Sequence, residues 1–299
     1  MAPAPSRFAG IPPYGDSAFD HGDVHLASGR IFVAHTAAGT VEVIDGEAMV
    51  HAGTIPGCQE ASGVLCAQAE GLVFAAARGA GKVLVIDAGS LEVVRELATG
   101  PRPNGLAWRG RDGTLLVADV RDFRARLLVA ASGELAGDVE LPGRPRWCVY
   151  DRAAGRFLVN VRDPACVAVL FGEPLALVDR WPVSCAGPHG LDLDLAGGRA
   201  FVASDGGAVS VLDLSNGAEV ASVPIAGQPD AIWYNAARDL LYVAIGEPGL
   251  VEVIDTAAMR SRERIVTEPG AHTTAFDAAR QRLVVFLPGT CRAAIYEAT

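Results

Sequence analysis

Seven polar residues, three of them histidines, recur along the chain at intervals of roughly 42 residues. They are His21, Glu60, Asn104, Arg146, His189, Asp230 and His272. Imidazole and carboxylate groups together suit Zn, Mn, Fe or Cu better than Ca. Because the chain has only six histidines, their concentration in this series predicts a divalent transition metal, Zn or else Mn, Fe or Cu. The predicted ligands are His21, Glu60, His189 and His272.

Further residues of the series, and two near it, suggest what such a metal would act on. Asp230 is the predicted general base, and Arg146 and Asn104 are expected to face a developing oxyanion. Trp147 and His35 are expected to contact a small-molecule substrate. A metal of this kind polarises the electrophilic oxygen and lowers the pKa of bound water. The series therefore predicts metal-dependent hydrolysis of a small ester, lactone or phosphotriester.

A repeat along the chain must position these side chains. An apolar strand, a turn, a second apolar strand and an aspartate recur, as in GRIFVAHTAAGTVEVID (29–45) and GLVFAAARGAGKVLVID (71–87). The closing aspartates are Asp45, Asp87, Asp213 and Asp255, and the same register predicts units ending near 129, 171 and 297. Seven units on a period of roughly 42 residues, with four strands each, are typical of a β-propeller.

The expected fold is all-β: one domain over residues 1–299, with seven blades of four antiparallel strands. Blades are predicted to start near 20, 58, 102, 144, 187, 228 and 270. The last unit ends before its fourth strand, and residues 5–16 resemble an outer strand, so the N-terminal segment is expected to complete the last blade. Such closure removes exposed sheet edges, and it brings the seven polar residues to the mouth of a central channel.

The repeats resemble those of the YVTN-repeat, YncE-like β-propeller family over roughly residues 17–297. FDHGDVHLASGRIFVAHT, VRELATGPRPNGLAW, AGPHGLDLD and EPGAHTTAFD carry the resemblance. The resemblance implies a seven-bladed propeller, but it does not imply one particular reaction. In architecture the chain is more distantly similar to lactonase and phosphotriesterase propellers, which implies a metal at one end of the channel.

Composition limits the classes of partner. The formal net charge of −10 offers no basic surplus for neutralising phosphates, so nucleic acid is not an expected partner. No run of 18 apolar residues is present, so no membrane partner is expected. The N-terminus lacks the pattern of a secretion signal, which predicts a cytoplasmic protein with reduced cysteines.

Two other functions fit the same residues. Polar residues line many propeller channels only to hydrate them, and a non-catalytic binding or scaffold propeller would present its loops to a protein partner. A metal-dependent oxidoreductase is the third alternative. Metal content and metal identity would separate the three, because Zn itself does no redox chemistry.

Overall fold

The computed structural model describes residues 4–298, and this part of the chain contains β-strands and turns but no helix. It therefore contains no helix long and apolar enough to cross a membrane. The strands form seven four-stranded antiparallel sheets. Val, Ile, Leu and Phe alternate with small residues in short runs that turns interrupt, which favours strands over helices.

Each sheet is one blade, and its strands take four positions from the channel outwards. The inner strands are β2 (Phe19–His25), β6 (Ala61–Ala67), β10 (Pro103–Arg109), β14 (Pro145–Asp151), β18 (Pro188–Asp194), β22 (Pro229–Asn235) and β26 (Thr274–Asp277). The second strands are β3 (Arg30–His35), β7 (Leu72–Ala77), β11 (Thr114–Asp119), β15 (Arg156–Val161), β19 (Arg199–Ser204), β23 (Leu240–Ile245) and β27 (Arg282–Leu287).

The two remaining positions lie farther from the channel. The third strands are β4 (Thr40–Asp45), β8 (Lys82–Asp87), β12 (Arg124–Val129), β16 (Cys166–Phe171), β20 (Ala208–Asp213), β24 (Leu250–Asp255) and β28 (Arg292–Glu297). The outer strands are β5 (Val50–Ile55), β9 (Val93–Ala98), β13 (Leu135–Glu140), β17 (Ala176–Pro182), β21 (Glu219–Pro224), β25 (Arg260–Val266) and, for the last blade, β1 (Arg7–Gly10).

The blades close into a ring. Each inner strand contacts the inner strands of both neighbouring blades, and β26 of the last blade contacts β2 of the first. The N-terminal strand β1 pairs with β28 from Arg7↔Ile295 to Gly10↔Arg292. The expected seven-bladed propeller, completed by an N-terminal strand, is therefore confirmed.

Apolar side chains fill the spaces between blades rather than one central core. Seven hydrophobic clusters are present in residues 4–298, one at each interface between neighbouring blades. The largest fully buried side chains include Phe32, Phe74, Phe157, Phe201 and Phe286. Because each sheet is covered on both faces, its second and third strands are nearly continuous apolar runs, and the channel end of each blade is held rigidly.

Candidate functional site

The inner strands bring one residue per blade to the end of the channel at which they begin, here called the mouth. Strand pairing fixes which residues are equivalent: Phe19 faces His35, as Pro103 faces Asp119 and Pro188 faces Ser204. The next residue in every blade forms the ring, namely Asp20, Ser62, Asn104, Arg146, His189, Asp230 and His272. Five of the seven predicted ring positions agree with this register.

The expected positions in the first two blades are wrong. The ring residues there are Asp20 and Ser62, and His21 lies one residue deeper in the channel. Glu60 precedes β6 in a left-handed turn conformation (φ 48°). Its side chain is 49% exposed and its Oε2 lies 2.7 Å from the Arg102 Nη2. Glu60 therefore belongs to the outer rim and does not join the histidines.

His35, expected to contact substrate, also lies elsewhere. Its side chain is fully buried inside the first blade. Its Nε2 lies 3.1 Å from the Ser17 hydroxyl, its Nδ1 lies 3.7 Å from Glu42, and its ring packs against Phe19. A side chain with no exposed surface cannot touch a molecule in the channel, so this position is a correction to the sequence-based expectation.

On one side of the mouth, Asp230 lies between His189 and His272. Its Oδ1 lies 3.1 Å from the Nε2 of His189, and its Oδ2 lies 3.6 Å from the Nε2 of His272. Although burial favours the neutral acid, the neighbouring His189 and His272 hold the pKa of Asp230 well below its usual range. Asp230 is therefore a carboxylate flanked by imidazoles.

His189 is clamped between two carboxylates. Its Nδ1 lies 3.0 Å from Asp205 and its Nε2 3.1 Å from Asp230. Burial alone would lower the pKa of His189, but the two carboxylates outweigh burial and raise it. Both ring nitrogens of His189 are thus within hydrogen-bond distance of a carboxylate.

The opposite side of the mouth is rich in arginine. The charges of Arg162, Arg78 and Arg102 all act on Arg144, and together with burial they lower its pKa. Burial likewise lowers the pKa of Arg146. The charge of Asp230 opposes this effect, and the charges of Arg144 and Arg162 add to it. Five guanidinium groups therefore converge on one end of a protein whose formal net charge is −10.

Three of these arginines have carboxylate partners. Arg78 binds Asp20 at 2.6 Å and also donates to the Oδ1 of Asn104. Arg102 pairs with Glu60, as described above, and Arg162 pairs with Asp205. Within residues 4–298, neither Arg144 nor Arg146 lies within 4.0 Å of a carboxylate oxygen, and the buried Nε of Arg146 has no hydrogen-bond acceptor. These two cations therefore have no ion-pair partner within 4.0 Å in this part of the chain, although the charges of Asp230 and Asp20 also act on Arg146.

Glycines let the ring close tightly below the mouth. A methyl group at Gly63 would overlap the carbonyl oxygen of Asn104, one at Gly105 that of Arg146, and one at Gly190 that of Asp230. The absence of a side chain at each glycine therefore leaves space for the backbone carbonyl of the ring residue in the next blade. This contact is the physical reason for the small residues that follow most ring positions.

Two large residues stand where the other blades have small ones, and they contact each other across the channel. His21 of the first blade and Trp147 of the fourth stack with ring centroids 4.0 Å apart and planes 25° from parallel. Trp233 meets Trp147 edge-on at 6.5 Å. Burial lowers the pKa of His21, so the stack joins a neutral imidazole to an indole. We call the His21–Trp147 pair the wall.

The metal prediction can be compared with this geometry. Among residues 4–298 no group of three or more His, Cys, Asp or Glu side chains is arranged to hold a metal ion. Glu60 points away, and His189 could bind a metal through Nε2 only by releasing Asp230. The four expected ligands therefore do not form one coordination set in this arrangement.

Known proteins add nothing to this assignment. No model of a known protein family matches the chain, and no curated protein matches it. The propeller fold consequently rests on the strand pairing and the closed ring alone.

Proposed function

We propose that the mouth of the channel binds a small molecule that carries a carboxylate or phosphate group. The observation that carries this proposal is the pair Arg144 and Arg146, which have no carboxylate partner although the protein is acidic. Guanidinium groups bind carboxylates and phosphates through two parallel hydrogen bonds. An anion here would also accept a hydrogen bond from the buried Nε of Arg146.

The other side of the mouth would orient such a ligand. Asp230 repels the anionic group and so favours its approach to the arginines. His272, with a side chain 37% exposed, is the accessible imidazole and can hydrogen-bond a hydroxyl or carbonyl of the same molecule. We also propose, from the repeat sequences, that the protein belongs to the YVTN-repeat propellers.

The test is the affinity for inorganic phosphate and phenyl phosphate, measured by calorimetry at low ionic strength. We expect Arg146→Met to weaken binding about tenfold or more, because one charge-assisted hydrogen bond contributes roughly 1.5–3 kcal/mol. Arg238→Met removes the same charge from an exposed turn at the far face and should leave affinity unchanged. Equal losses in the two variants would reduce the effect to net charge and refute a site at the mouth.

Hydrolysis of a small ester, lactone or phosphotriester at this mouth is a second candidate. The observation that favours it is Asp230 with imidazoles at 3.1 and 3.6 Å, opposite Arg146, which would face a developing oxyanion. Elemental analysis of untagged protein, with and without chelator, decides whether the reaction uses Zn, Mn, Fe or Cu. Unchanged turnover of a substrate panel in a His272→Ala, Asp230→Asn double variant would end this candidate.

A further inference from the structure

A second cavity lies on the other side of the wall. It has a volume of about 440 Å³ and opens toward the face at which the inner strands end. Three of the four tryptophans of the chain line it, Trp108, Trp147 and Trp233, together with Tyr150. This volume falls within the range of roughly 300–1,000 Å³ that small-molecule sites occupy.

The aromatic rings of the cavity are fixed in place. The indole N–H of Trp233 donates to the Thr274 carbonyl at 3.0 Å, and that of Trp108 donates to Glu70 at 3.2 Å. Trp147 is held by its stack on His21 and by the edge of Trp233. The π-faces are electron-rich, and a cation within about 6 Å of such a ring is attracted to it.

The charged groups of the cavity have one sign. Asp23 of the first blade and Asp192 of the fifth both line it, Glu70 lies at its rim, and no Lys or Arg is among its described lining residues. Each aspartate accepts two backbone N–H groups, at 2.7 Å for Asp23 and at 2.7 and 2.8 Å for Asp192. Each oxygen keeps a second lone pair for another donor.

The charge of Asp192 also affects the pKa of Asp23. Burial raises the pKa of Asp23 to about 7, although its backbone hydrogen bonds act in the opposite direction and the charge of Asp192 adds to the rise. Burial similarly raises the pKa of Asp192 to about 6. A cation between them would offset this repulsion, whereas an anion would increase it and a neutral guest would leave it unchanged.

We propose that this cavity binds a small organic cation, an alkylammonium ion with an apolar or aromatic body. Its charged head would lie among the tryptophan faces near Asp23 and Asp192, and its apolar part would contact Tyr150 and the aliphatic residues of the inner strands. The wall lies between the cavity and the ring of the mouth, and the cavity opens toward the far face, from which the ligand would enter. The proposal does not rest on anion binding at the mouth.

The probes are benzyltrimethylammonium and choline, with 3,3-dimethyl-1-butanol as the neutral counterpart of choline. Titration followed by calorimetry should give saturable binding of both cations and at least tenfold weaker binding of the alcohol. Trp233→Leu should weaken benzyltrimethylammonium binding about 2- to 30-fold, which corresponds to the loss of one cation–π contact of roughly 0.5–2 kcal/mol. Asp192→Asn removes a nearby negative charge and should weaken binding about 3-fold or more. Trp181→Phe alters the one tryptophan outside the cavity and should leave affinity unchanged.

The proposal is overturned if the alcohol binds as tightly as choline, if neither cation binds at millimolar concentration, or if Trp233→Leu and Trp181→Phe behave alike. Circular dichroism melting curves establish that each variant is folded. Should Asp192→Asn fail to fold, Asp23→Asn replaces it, because the two carboxylates hold equivalent pairs of backbone amides on different blades.

Discussion

Deleting residues 1–10 should lower the free energy of unfolding by on the order of 4 kcal/mol and cause the protein to self-associate. The deletion removes β1, which forms four residue pairs with β28 and buries Ala9. Backbone hydrogen bonds contribute roughly 0.5–1.5 kcal/mol each, and burial of Ala9 adds to the loss. The third strand of the last blade would then present an unpaired edge to other molecules.

Urea unfolding and light scattering after size-exclusion chromatography measure the two effects of this deletion. Phe8→Ala serves as the control, since that side chain is 46% exposed within the same strand. A synthetic peptide covering residues 4–12 should restore the monomer when added to the truncated protein. A truncated protein that stays monomeric and keeps its unfolding midpoint would show that β1 is dispensable for closure.

The protein should be most stable between about pH 4 and 5, below the range usual for globular proteins. Asp23 and Asp192 have folded-state pKa values raised to about 7 and about 6. The folded state therefore binds more protons than the unfolded state above pH 4, and stability falls as pH rises toward 7. The raised pKa of His189 acts in the same direction, because its contribution is present below about 6.5 and is lost above its folded pKa. The lowered pKa of His21 acts in the opposite direction and reduces the slope.

Stability should also fall on the acid side of this maximum. Glu42 is buried, and its carboxylate accepts hydrogen bonds from Thr40, Thr54 and His51 at 2.6–2.7 Å. These bonds and the His35 imidazole, whose Nδ1 lies 3.7 Å away, outweigh burial and lower the pKa of Glu42 to about 2. Its contribution of about 3 kcal/mol is present above pH 4.5 and is lost as pH falls toward 2.

Urea denaturation at half-unit steps from pH 3 to 8 measures this profile. Asp23→Asn should flatten the alkaline limb, by about 1–2 kcal/mol, because the Asp23 side chain is partly open to the cavity and is screened there. Glu42→Gln should reduce the acid limb and lower stability at pH 5, while the lowered pKa of Asp230 maintains the rest of that limb. An alkaline limb that is the same in Asp23→Asn as in the unaltered protein would contradict the raised pKa of Asp23.

The fold could be predicted because the same pattern of strands and turns recurs in seven units of the sequence. Asp45, Asp87, Asp213 and Asp255 recur at the same point of their units, and each of them lies at the end of a third strand. Closure by the N-terminal segment followed from a missing strand in the last unit. An incorrect prediction for a single strand does not obscure a repeat length that seven units share.

The mouth could be predicted only in part, because the anchor for alignment was a Gly/Pro turn. Pro103, Pro145, Pro188 and Pro229 begin their inner strands and fix the register, but Phe19 and Ala61 take that place in the first two blades. Counting back from Asn104 by the constant period gives Ser62 and then Asp20. That signal was present in the sequence and would have removed Glu60 from the ring.

The second cavity was missed because its residues resemble core residues in a linear sequence. Trp108 and Tyr150 lie on inner strands among apolar neighbours, where burial between blades is the simpler expectation. Whether an inner-strand side chain enters the channel depends on the twist of its blade and on the size of the residues opposite. Asp23 and Asp192 line one cavity only because the first and fifth blades face each other across the closed ring, and no local sequence pattern indicates this.

The wall of His21 and Trp147 is shared by the two ends of the channel, because it lies one residue below the ring of the mouth and lines the cavity beyond it. The charges of Asp20, Asp230 and Arg78 act on one side of His21, and Trp147 forms part of the cavity on the other. Two guests can therefore be present at once without competing for space. If a ligand bound at the mouth moves the His21–Trp147 pair, it changes the affinity of the cavity for its own ligand by some factor. Thermodynamic linkage then requires the ligand in the cavity to change the affinity of the mouth by the same factor.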